Sequence, residues 1–249
     1  MEMPILEARQ LVKKYSSRAV VDHVDISVNR QSIVGLLGRN GAGKTTIFRI
    51  IIGMIIPNGG SVIFEGAEVT KLPMYKRARL GMGYLSQEPS VLYRLSVRDN
   101  LLAVLEMMSL TSIERSRRAD LLIERYDLSE VANIQARFLS GGERRKLEIA
   151  RAMITEPGLI LLDEPFSGVD PIVVQELQAE IRRLAASGIS ILLTDHNVER
   201  TFEVADQIYV IDHGKVIGSG SPMEIIKNEL VRKSYLGQAF EADDSGNHR

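Results

Sequence analysis

A short apolar run that leads into a glycine-rich loop decides the fold: Ser32-Ile-Val-Gly-Leu-Leu37 precedes Gly38-Arg-Asn-Gly-Ala-Gly-Lys-Thr-Thr46. The apolar run is typical of a strand that is buried on both faces of a parallel sheet. The residues from 44 to 50 predict a helix, so strand, loop and helix together indicate the start of an α/β unit. The spacing of the glycines before Lys44 and Thr45 is that of a phosphate-binding loop.

The loop motif assigns a chemical role to its residues. Lys44 is expected to contact the β- and γ-phosphates of a nucleotide, and the Thr45 hydroxyl is expected to bind Mg²⁺. The alternative is a glycine turn that only caps a helix, and the buried strand before the loop disfavours it. The predicted nucleotide-binding residues of this segment are Gly38, Arg39, Asn40, Gly41, Ala42, Gly43, Lys44, Thr45 and Thr46.

Composition sets outer limits on structure and function. The chain has 249 residues, of which 45% are apolar and 25% charged, so one or two globular domains are expected. A net charge of -1 disfavours nucleic-acid binding, and the absence of cysteine excludes disulfides and thiolate chemistry. No apolar stretch approaches the ~20 residues of a membrane helix, and the first residues do not have the pattern of a signal peptide.

Hydrophobic patterning predicts a sheet whose strands are interrupted by a helical insertion. Residues 96–154 have helical periodicity, and one of their helices is expected to bury Leu121, Leu122 and Tyr126 on a shared face. The first strands predict a small antiparallel sheet beside the parallel one. Strands are predicted at 5–11, 24–28, 32–37, 61–66, 82–85, 159–162, 189–194, 208–211 and 215–217, and a helix at 172–186.

Two further motifs carry chemistry. In Leu159-Ile-Leu-Leu-Asp-Glu164 an apolar strand ends in two acids: Asp163 is expected to bind Mg²⁺ through water, and Glu164 to act as a general base. A strand that ends in solvated acids is the alternative. Leu139-Ser-Gly-Gly-Glu143 predicts a capping box, in which Ser140 and Glu143 satisfy each other's backbone N–H groups. The same helix start is a potential anion site, since its glycines leave the backbone accessible.

In this order, the phosphate loop, Leu-Ser-Gly-Gly-Glu and Leu-Leu-Asp-Glu resemble the nucleotide-binding domain of ATP-binding cassette (ABC) proteins over nearly the whole chain. The resemblance implies an α/β fold: a phosphate-loop NTPase core with a parallel sheet, an N-terminal antiparallel β subdomain and an inserted helical subdomain. It implies one domain over 1–240, with a catalytic lobe at 1–86 and 157–236 and a helical subdomain at 88–155. Residues 241–249 are expected to be a disordered tail.

The resemblance also implies roles for residues whose own signals are weak. Tyr15 is similar to the aromatic residue that stacks on adenine, and Gln87 to the glutamine that contacts Mg²⁺. Ser167-Gly-Val-Asp170 resembles a loop that contacts a second copy, and His196 a histidine that contacts the γ-phosphate. ATP and Mg²⁺ are the implied cofactors, and Glu164, His196 and Lys44 the implied catalytic residues. Ser140, Gly141, Gly142 and Asp170 are expected to complete the nucleotide site of a second copy in a head-to-tail dimer.

The implied partners are two transmembrane permease subunits that dock near Gln87–Leu95, on the cytoplasmic face of the inner membrane. Leu92, Tyr93 and Leu95 would be their apolar contacts. Arg94-Leu-Ser-Val-Arg-Asp-Asn-Leu101 and Thr194-Asp-His-Asn-Val198 are similar to the ATPases of lipopolysaccharide exporters, as are 83–88 and 231–240. The ATPases of branched-chain amino-acid importers share much of this pattern, and a soluble ABC protein or a phosphate-loop kinase are further alternatives. Two residues depart from the pattern: Arg39 and Ser86 stand where proline is usual.

Overall fold

The computed structural model describes residues 3–87, 90–168 and 170–237. The predicted tail at 241–249, Val169, and Glu88 and Pro89 of the segment Gln87–Leu95 predicted to contact the permeases lie outside these residues. The first half of the chain forms β1 (Leu6–Tyr15), β2 (Arg18–Val28), β3 (Ile33–Gly38), α1 (Lys44–Ile52), β4 (Gly59–Phe64), β5 (Ala67–Glu68), α2 (Met74–Arg79), β6 (Met82–Leu85), α3 (Val97–Leu105) and α4 (Ser112–Arg125).

The second half returns from helices to the sheet. It forms α5 (Gly141–Ala152), β7 (Leu159–Asp163), α6 (Pro171–Ala186), β8 (Ser190–Asp195), α7 (Val198–Phe202), β9 (Gln207–Asp212), β10 (Lys215–Gly220), α8 (Pro222–Lys227) and α9 (Glu229–Val231), followed by a π-helical turn over Arg232–Leu236. Among the described residues from 90 to 155, the one β contact is an isolated bridge between Ser96 and Gln135. A helical insertion therefore separates β6 from β7.

The strands form two sheets. A four-stranded antiparallel sheet has the order β2-β1-β4-β5, and a six-stranded sheet has the order β10-β9-β3-β8-β7-β6. In the larger sheet all neighbouring pairs except β10 with β9 are parallel. The predicted α/β fold, with an antiparallel β subdomain and a helical insertion, is confirmed.

The central strand β3 faces a separate core on each side, as its unbroken apolar sequence predicts. Ile33 and Leu37 pack into a core that includes α3, α5 and α6. Val34 and Leu36 pack into a second core with α1 and the antiparallel sheet. The parallel strands end side by side, and the polar residues that follow them meet at one edge of the sheet.

Two details of the sequence-based expectations are wrong. Leu121 is 56% exposed, because α4 turns Ala119 and Ile123 toward the core instead, and these lie four residues apart on one helix face. The first hairpin is also longer than predicted. Its pairing continues to Tyr15 and Arg18 through several register shifts, which obscure the period-two pattern on which the prediction rested. Among the described helices, none is long and apolar enough to cross a lipid bilayer.

Candidate active site

The phosphate loop joins β3 to α1 through glycines in conformations that other residues rarely adopt. Gly43 has φ +112° and is the N-cap of α1, and a Cβ placed there would lie 2.6 Å from the carbonyl oxygen of Val20. Gly41 has φ +80°, and apart from its neighbours in the chain no atom lies within 4 Å of the position of its missing Cβ. The loop is thus closely packed at one glycine and open toward solvent at another, where backbone can approach a ligand.

Lys44 lies at the centre of this loop. Its side chain is buried, and Nζ donates to the carbonyl oxygens of Gly38 at 2.6 Å and Arg39 at 3.2 Å. Burial lowers the pKa of Lys44, an effect that the nearby carboxylate of Glu164 opposes. Thr45 follows on the exposed side of the first helical turn, whereas Thr46 is half-buried. An ammonium group and a hydroxyl are therefore placed together at a helix N-terminus.

A residue of the neighbouring strand β8 forms hydrogen bonds with both acidic residues at the end of β7. The Thr194 hydroxyl donates to Asp163 Oδ1 at 2.8 Å and accepts the backbone N–H of Glu164 at 3.1 Å. Tyr84, on the other side of β7, donates to Asp163 Oδ2 at 3.4 Å. The carboxylate of Asp163 therefore has a hydroxyl donor at each oxygen.

Glu164 contacts two other predicted site residues: Gln87, which is predicted to bind Mg²⁺, and His196, which with Glu164 is predicted for catalysis. Gln87 Nε2 donates to Glu164 Oε2 at 3.2 Å, and Nδ1 of His196 lies 3.7 Å from the same oxygen. Glu164 has φ +46°, which places a non-glycine residue in the left-handed region. The three residues come from separate segments, after β6, β7 and β8, because those parallel strands end at a common edge.

Asp195, the last residue of β8, fixes the loops around this edge. It is fully buried and accepts three backbone N–H groups, from Phe166 at 3.1 Å and from His196 and Asn197 at 2.8 Å each. These hydrogen bonds join the segment after Glu164 to the turn that carries His196. Neither Thr194 nor Asp195 is predicted from the sequence as a site residue. The available signal was their position, since two polar residues end an apolar strand next to the strand that carries the acids.

The predicted capping box at Ser140 is present. The Ser140 hydroxyl accepts the N–H of Glu143 at 3.3 Å, and the carboxylate of Glu143 accepts the N–H of Ser140 at 2.8 Å. The Ser140 hydroxyl and backbone N–H together lower the pKa of Glu143. Beyond the cap, nothing lies within 4 Å of the missing Cβ of Gly141. The helix start is formed within the chain and is open at Gly141, whereas a carboxylate oxygen of Glu176 lies 3.7 Å from the Cβ position of Gly142.

A cleft of about 390 Å³ lies between this helix start and the acids. Gln87, Gly141, Asp163, Glu164 and Asp170 line it. Among the described residues that line the cleft, none belongs to the phosphate loop. Gly142 instead lines a neighbouring groove between α5 and α6.

Two other predicted features lie away from the acids. Tyr15 ends β1 with its ring 49% exposed and 5.4 Å from Lys13 Nζ. Leu92, Tyr93 and Leu95 are exposed as predicted, with the guanidinium of Arg144 5.5 Å from the Tyr93 ring.

The residues present fit a nucleotide with Mg²⁺. Among the described residues there is no group of three or more histidine, cysteine or acidic side chains that could hold a metal without other ligands. Mg²⁺ is commonly bound by one or two carboxylates together with substrate phosphates and water. Asp163, the Thr45 hydroxyl and the amide oxygen of Gln87 are the hard oxygen donors that such an ion takes, and the open backbone at Gly41 leaves space for phosphate.

Known proteins resemble this chain in sequence and in fold. The sequence profile of the ABC transporter family matches residues 21–167. A lipopolysaccharide export system ATP-binding protein LptB from Acidithiobacillus ferridurans is 47% identical, over 95% of this chain and 98% of its own length. The protein of the same name from Escherichia coli K12 is 45% identical, over 96% and 99%.

Solved structures of ATP-binding cassettes also resemble the chain in fold. The ADP conformation of an ATP-binding cassette of an ABC transporter has a TM-score of 0.85 at 27% identity, and covers 95% of this chain and 100% of its own. A dimeric cassette in a post-hydrolysis state, bound to ADP and Pi, has a TM-score of 0.75 at 20% identity over 87% and 98%. The second likeness shows the fold alone.

Proposed function

Since the chain belongs to the ABC transporter family, we propose that it is the ATP-hydrolysing subunit of a transporter that extracts lipopolysaccharide from the inner membrane for export. The assignment of lipopolysaccharide as the cargo rests on the 47% identity to a lipopolysaccharide export ATP-binding protein over nearly the full length of both chains. ATP hydrolysis is supported by the convergence of Gln87, Glu164 and His196, and by the effect of the Glu164 carboxylate on the pKa of Lys44.

The phosphate loop and Tyr15 bind the nucleotide. Tyr15 stacks on adenine, as its half-exposed ring allows. The backbone N–H groups of 38–46 surround the phosphates, and the Lys44 ammonium moves from the loop carbonyls to the β- and γ-phosphates. Thr45, Gln87 and Asp163 would hold Mg²⁺, which when bound neutralises charge on the phosphate oxygens.

Hydrolysis uses the groups after β7 and β8. Glu164 accepts the proton of a water molecule whose oxygen bonds to the γ-phosphorus, while the bond to the bridging oxygen of ADP breaks. His196 donates a hydrogen bond to the γ-phosphate. Gln87 holds the carboxylate of Glu164 toward that water, through the contact of 3.2 Å.

A second copy of the chain completes each site. The open position at Gly141, at the start of α5, suits the γ-phosphate of a nucleotide on another chain, because helix N-termini bind anions. Ser140, Gly141 and Gly142 supply that helix start, and Asp170 contacts the opposite copy. Head-to-tail pairing of two chains then encloses two nucleotides.

Two permease subunits dock on the loop that holds Leu92, Tyr93 and Leu95, and they keep the protein on the cytoplasmic face of the membrane. The three side chains are 43%, 42% and 36% exposed. The loop is supported from the helical insertion, since the N–H groups of Ala136 and Arg137 donate to the carbonyl oxygens of Leu95 and Tyr93. The apolar face of a helix from each permease would pack against these exposed side chains.

The cargo is tested with the intact complex. The tagged chain is purified together with its membrane subunits from detergent-solubilised membranes, and the complex is placed in liposomes that contain lipopolysaccharide. ATP-dependent release of lipopolysaccharide to a soluble acceptor is expected, and the Lys44→Ala complex should release none. A complex that hydrolyses ATP and moves leucine, but not lipopolysaccharide, would reassign the chain to an importer.

A further inference from the structure

The hydroxyl of Thr194 contacts both acidic residues at the end of β7. Its side chain is buried, at 1% exposure. The oxygen donates to Asp163 at 2.8 Å and accepts from the backbone of Glu164 at 3.1 Å. Because a hydroxyl can donate one hydrogen bond while it accepts another, it joins a carboxylate to an N–H group, which an apolar side chain of the same shape cannot do.

The two contacts act on different properties of the acids. The hydrogen bond to Asp163 fixes the rotation of its carboxylate, together with the Tyr84 hydroxyl at the other oxygen. The hydrogen bond from Glu164 holds the backbone of a residue with φ +46°, a conformation that persists only where surrounding structure maintains it. Metal-binding carboxylates commonly depend on such outer hydrogen bonds for their orientation.

Thr194 also belongs to the strand that carries the next pair of site residues. Asp195 follows it directly, and His196 comes after the strand ends. A displacement of β8 relative to β7 would therefore change Asp163, Glu164 and His196 together. Its hydroxyl lies where the two strands pair, since Thr194 is the register partner of Asp163.

We propose that Thr194 is a positioning residue, whose hydroxyl sets the geometry of Asp163 toward Mg²⁺ and of Glu164 toward the attacking water. This inference rests on the proposed roles of Asp163 and Glu164. It assigns to Thr194 an effect on how strongly Mg²⁺ strengthens ATP binding, and a separate effect on turnover. Binding of ATP without Mg²⁺ depends on the phosphate loop and is not affected.

The test compares Thr194→Val, which removes the hydroxyl and keeps the shape, with Thr194→Ser, which keeps the hydroxyl. The matched control is Ser190→Ala, because Ser190 is fully buried on the same strand and accepts the N–H of Gln31 at 3.0 Å, away from the acids. Affinity for a fluorescent ATP analogue is measured in EDTA and across a Mg²⁺ titration, together with the thermal midpoint and the steady-state ATPase rate.

For Thr194→Val we expect unchanged affinity in EDTA, and a gain in affinity from Mg²⁺ that is about 10-fold smaller than in the wild type. Thr194→Ser should restore most of that gain. Ser190→Ala should lower the thermal midpoint but leave the gain in affinity from Mg²⁺ unchanged. Tyr84→Phe, which keeps the strand contacts of Thr194, should reduce the gain less and serves if Thr194→Val does not fold.

Several results would overturn the inference. A Mg²⁺ dependence that is unchanged in both Thr194→Val and Tyr84→Phe would show that these hydroxyls do not orient Asp163. An equal loss in Ser190→Ala would show that the effect is general destabilisation of β8. A wild-type chain whose ATP binding does not respond to Mg²⁺ would instead refute the proposed nucleotide site itself, which keeps the two failures distinct.

Discussion

The sheet edge and the helical insertion differ in whether their buried polar side chains have hydrogen-bond partners. At the edge, the buried side chains of Lys44, Asp163, Thr194 and Asp195 all have hydrogen-bond partners within the chain. In the insertion, orphaned atoms are common. Of the buried side-chain nitrogen and oxygen atoms that lack a partner in the described part of the chain, all but one lie on Tyr126, Gln135, Arg144, Arg145 and Arg151.

The polar groups of the sheet edge are therefore paired within one chain, whereas several of the insertion are not. Buried polar groups in folded proteins are nearly always paired, so a cluster of unpaired ones needs an explanation. The insertion also carries the exposed loop with Tyr93 and the open start of α5 at Gly141. We interpret the sheet edge as a preformed half-site and the insertion as the region that contacts other chains. A substitution in one region should therefore leave the function of the other intact.

The largest effect is expected from Glu164→Gln, at the sheet edge. The amide keeps the contacts of the side chain but cannot accept the proton of water, so hydrolysis should fall by about 10²–10⁴-fold. ATP should then hold two chains together, which sedimentation would detect as a dimer. Glu199→Gln, on the exposed side of α7, is the control and should behave like the wild type. Normal turnover by Glu164→Gln would remove Glu164 from its proposed role.

Lys44→Ala should weaken ATP binding by about 100-fold or more, because it removes charge-assisted hydrogen bonds to phosphate. The binding titration uses Lys76→Ala, an exposed lysine on α2, as its control. Contacts in the insertion are untouched, so co-purification with membrane subunits should persist without nucleotide. Wild-type affinity in Lys44→Ala would contradict the assignment of the loop.

Tyr93→Asp changes the insertion side and should leave the sheet edge working. A charge in an apolar contact is costly, so association with the membrane subunits should weaken by about 30-fold or more, as loss of an anchor worth ~2 kcal/mol would give. The ATPase rate of the isolated chain should stay within about twofold, since Lys44, Asp163 and Glu164 are unchanged.

Tyr75→Asp is the matched control for that variant. Tyr75 is 58% exposed and has an arginine 5.8 Å from its ring, as Tyr93 has at 5.5 Å, but it lies on α2. It should co-purify normally. A Tyr93→Asp chain that loses its soluble ATPase rate and keeps its membrane subunits would mean that the loop serves the nucleotide site.

The sequence is most informative where a motif is local. The strand β3, its glycine loop and the start of α1 follow from one continuous segment, and β6 is confirmed at Met82–Leu85, as predicted. The capping box at Ser140 is also contained within four residues. In each case the interactions that define the feature join neighbours along the chain.

The hydrogen bonds that orient the acids could not be predicted in this way. Thr194 contacts Asp163 from 31 positions away, and Tyr84 contacts it from 79. Their meeting depends on strand order, which a single sequence does not specify. The exposure of Leu121 has a similar cause, because the packing partner of α4 decides which of its apolar residues are buried.

Ser140 of one chain should complete the site of Lys44 on another. This is tested by mixing Lys44→Ala chains with Ser140→Arg chains, both in the Glu164→Gln background that is expected to retain ATP. In a head-to-tail mixed dimer, one site carries both lesions and the other carries neither. Retained nucleotide is measured after rapid desalting, for each variant alone and for the mixture.

The mixture should retain nucleotide in dimers with one intact site, although neither variant retains it alone. If Ser140→Arg chains retain nucleotide by themselves, or if the mixture retains no more than the two variants measured separately, Ser140 does not complete the site of a second copy, and the proposed division between sheet edge and helical insertion is wrong.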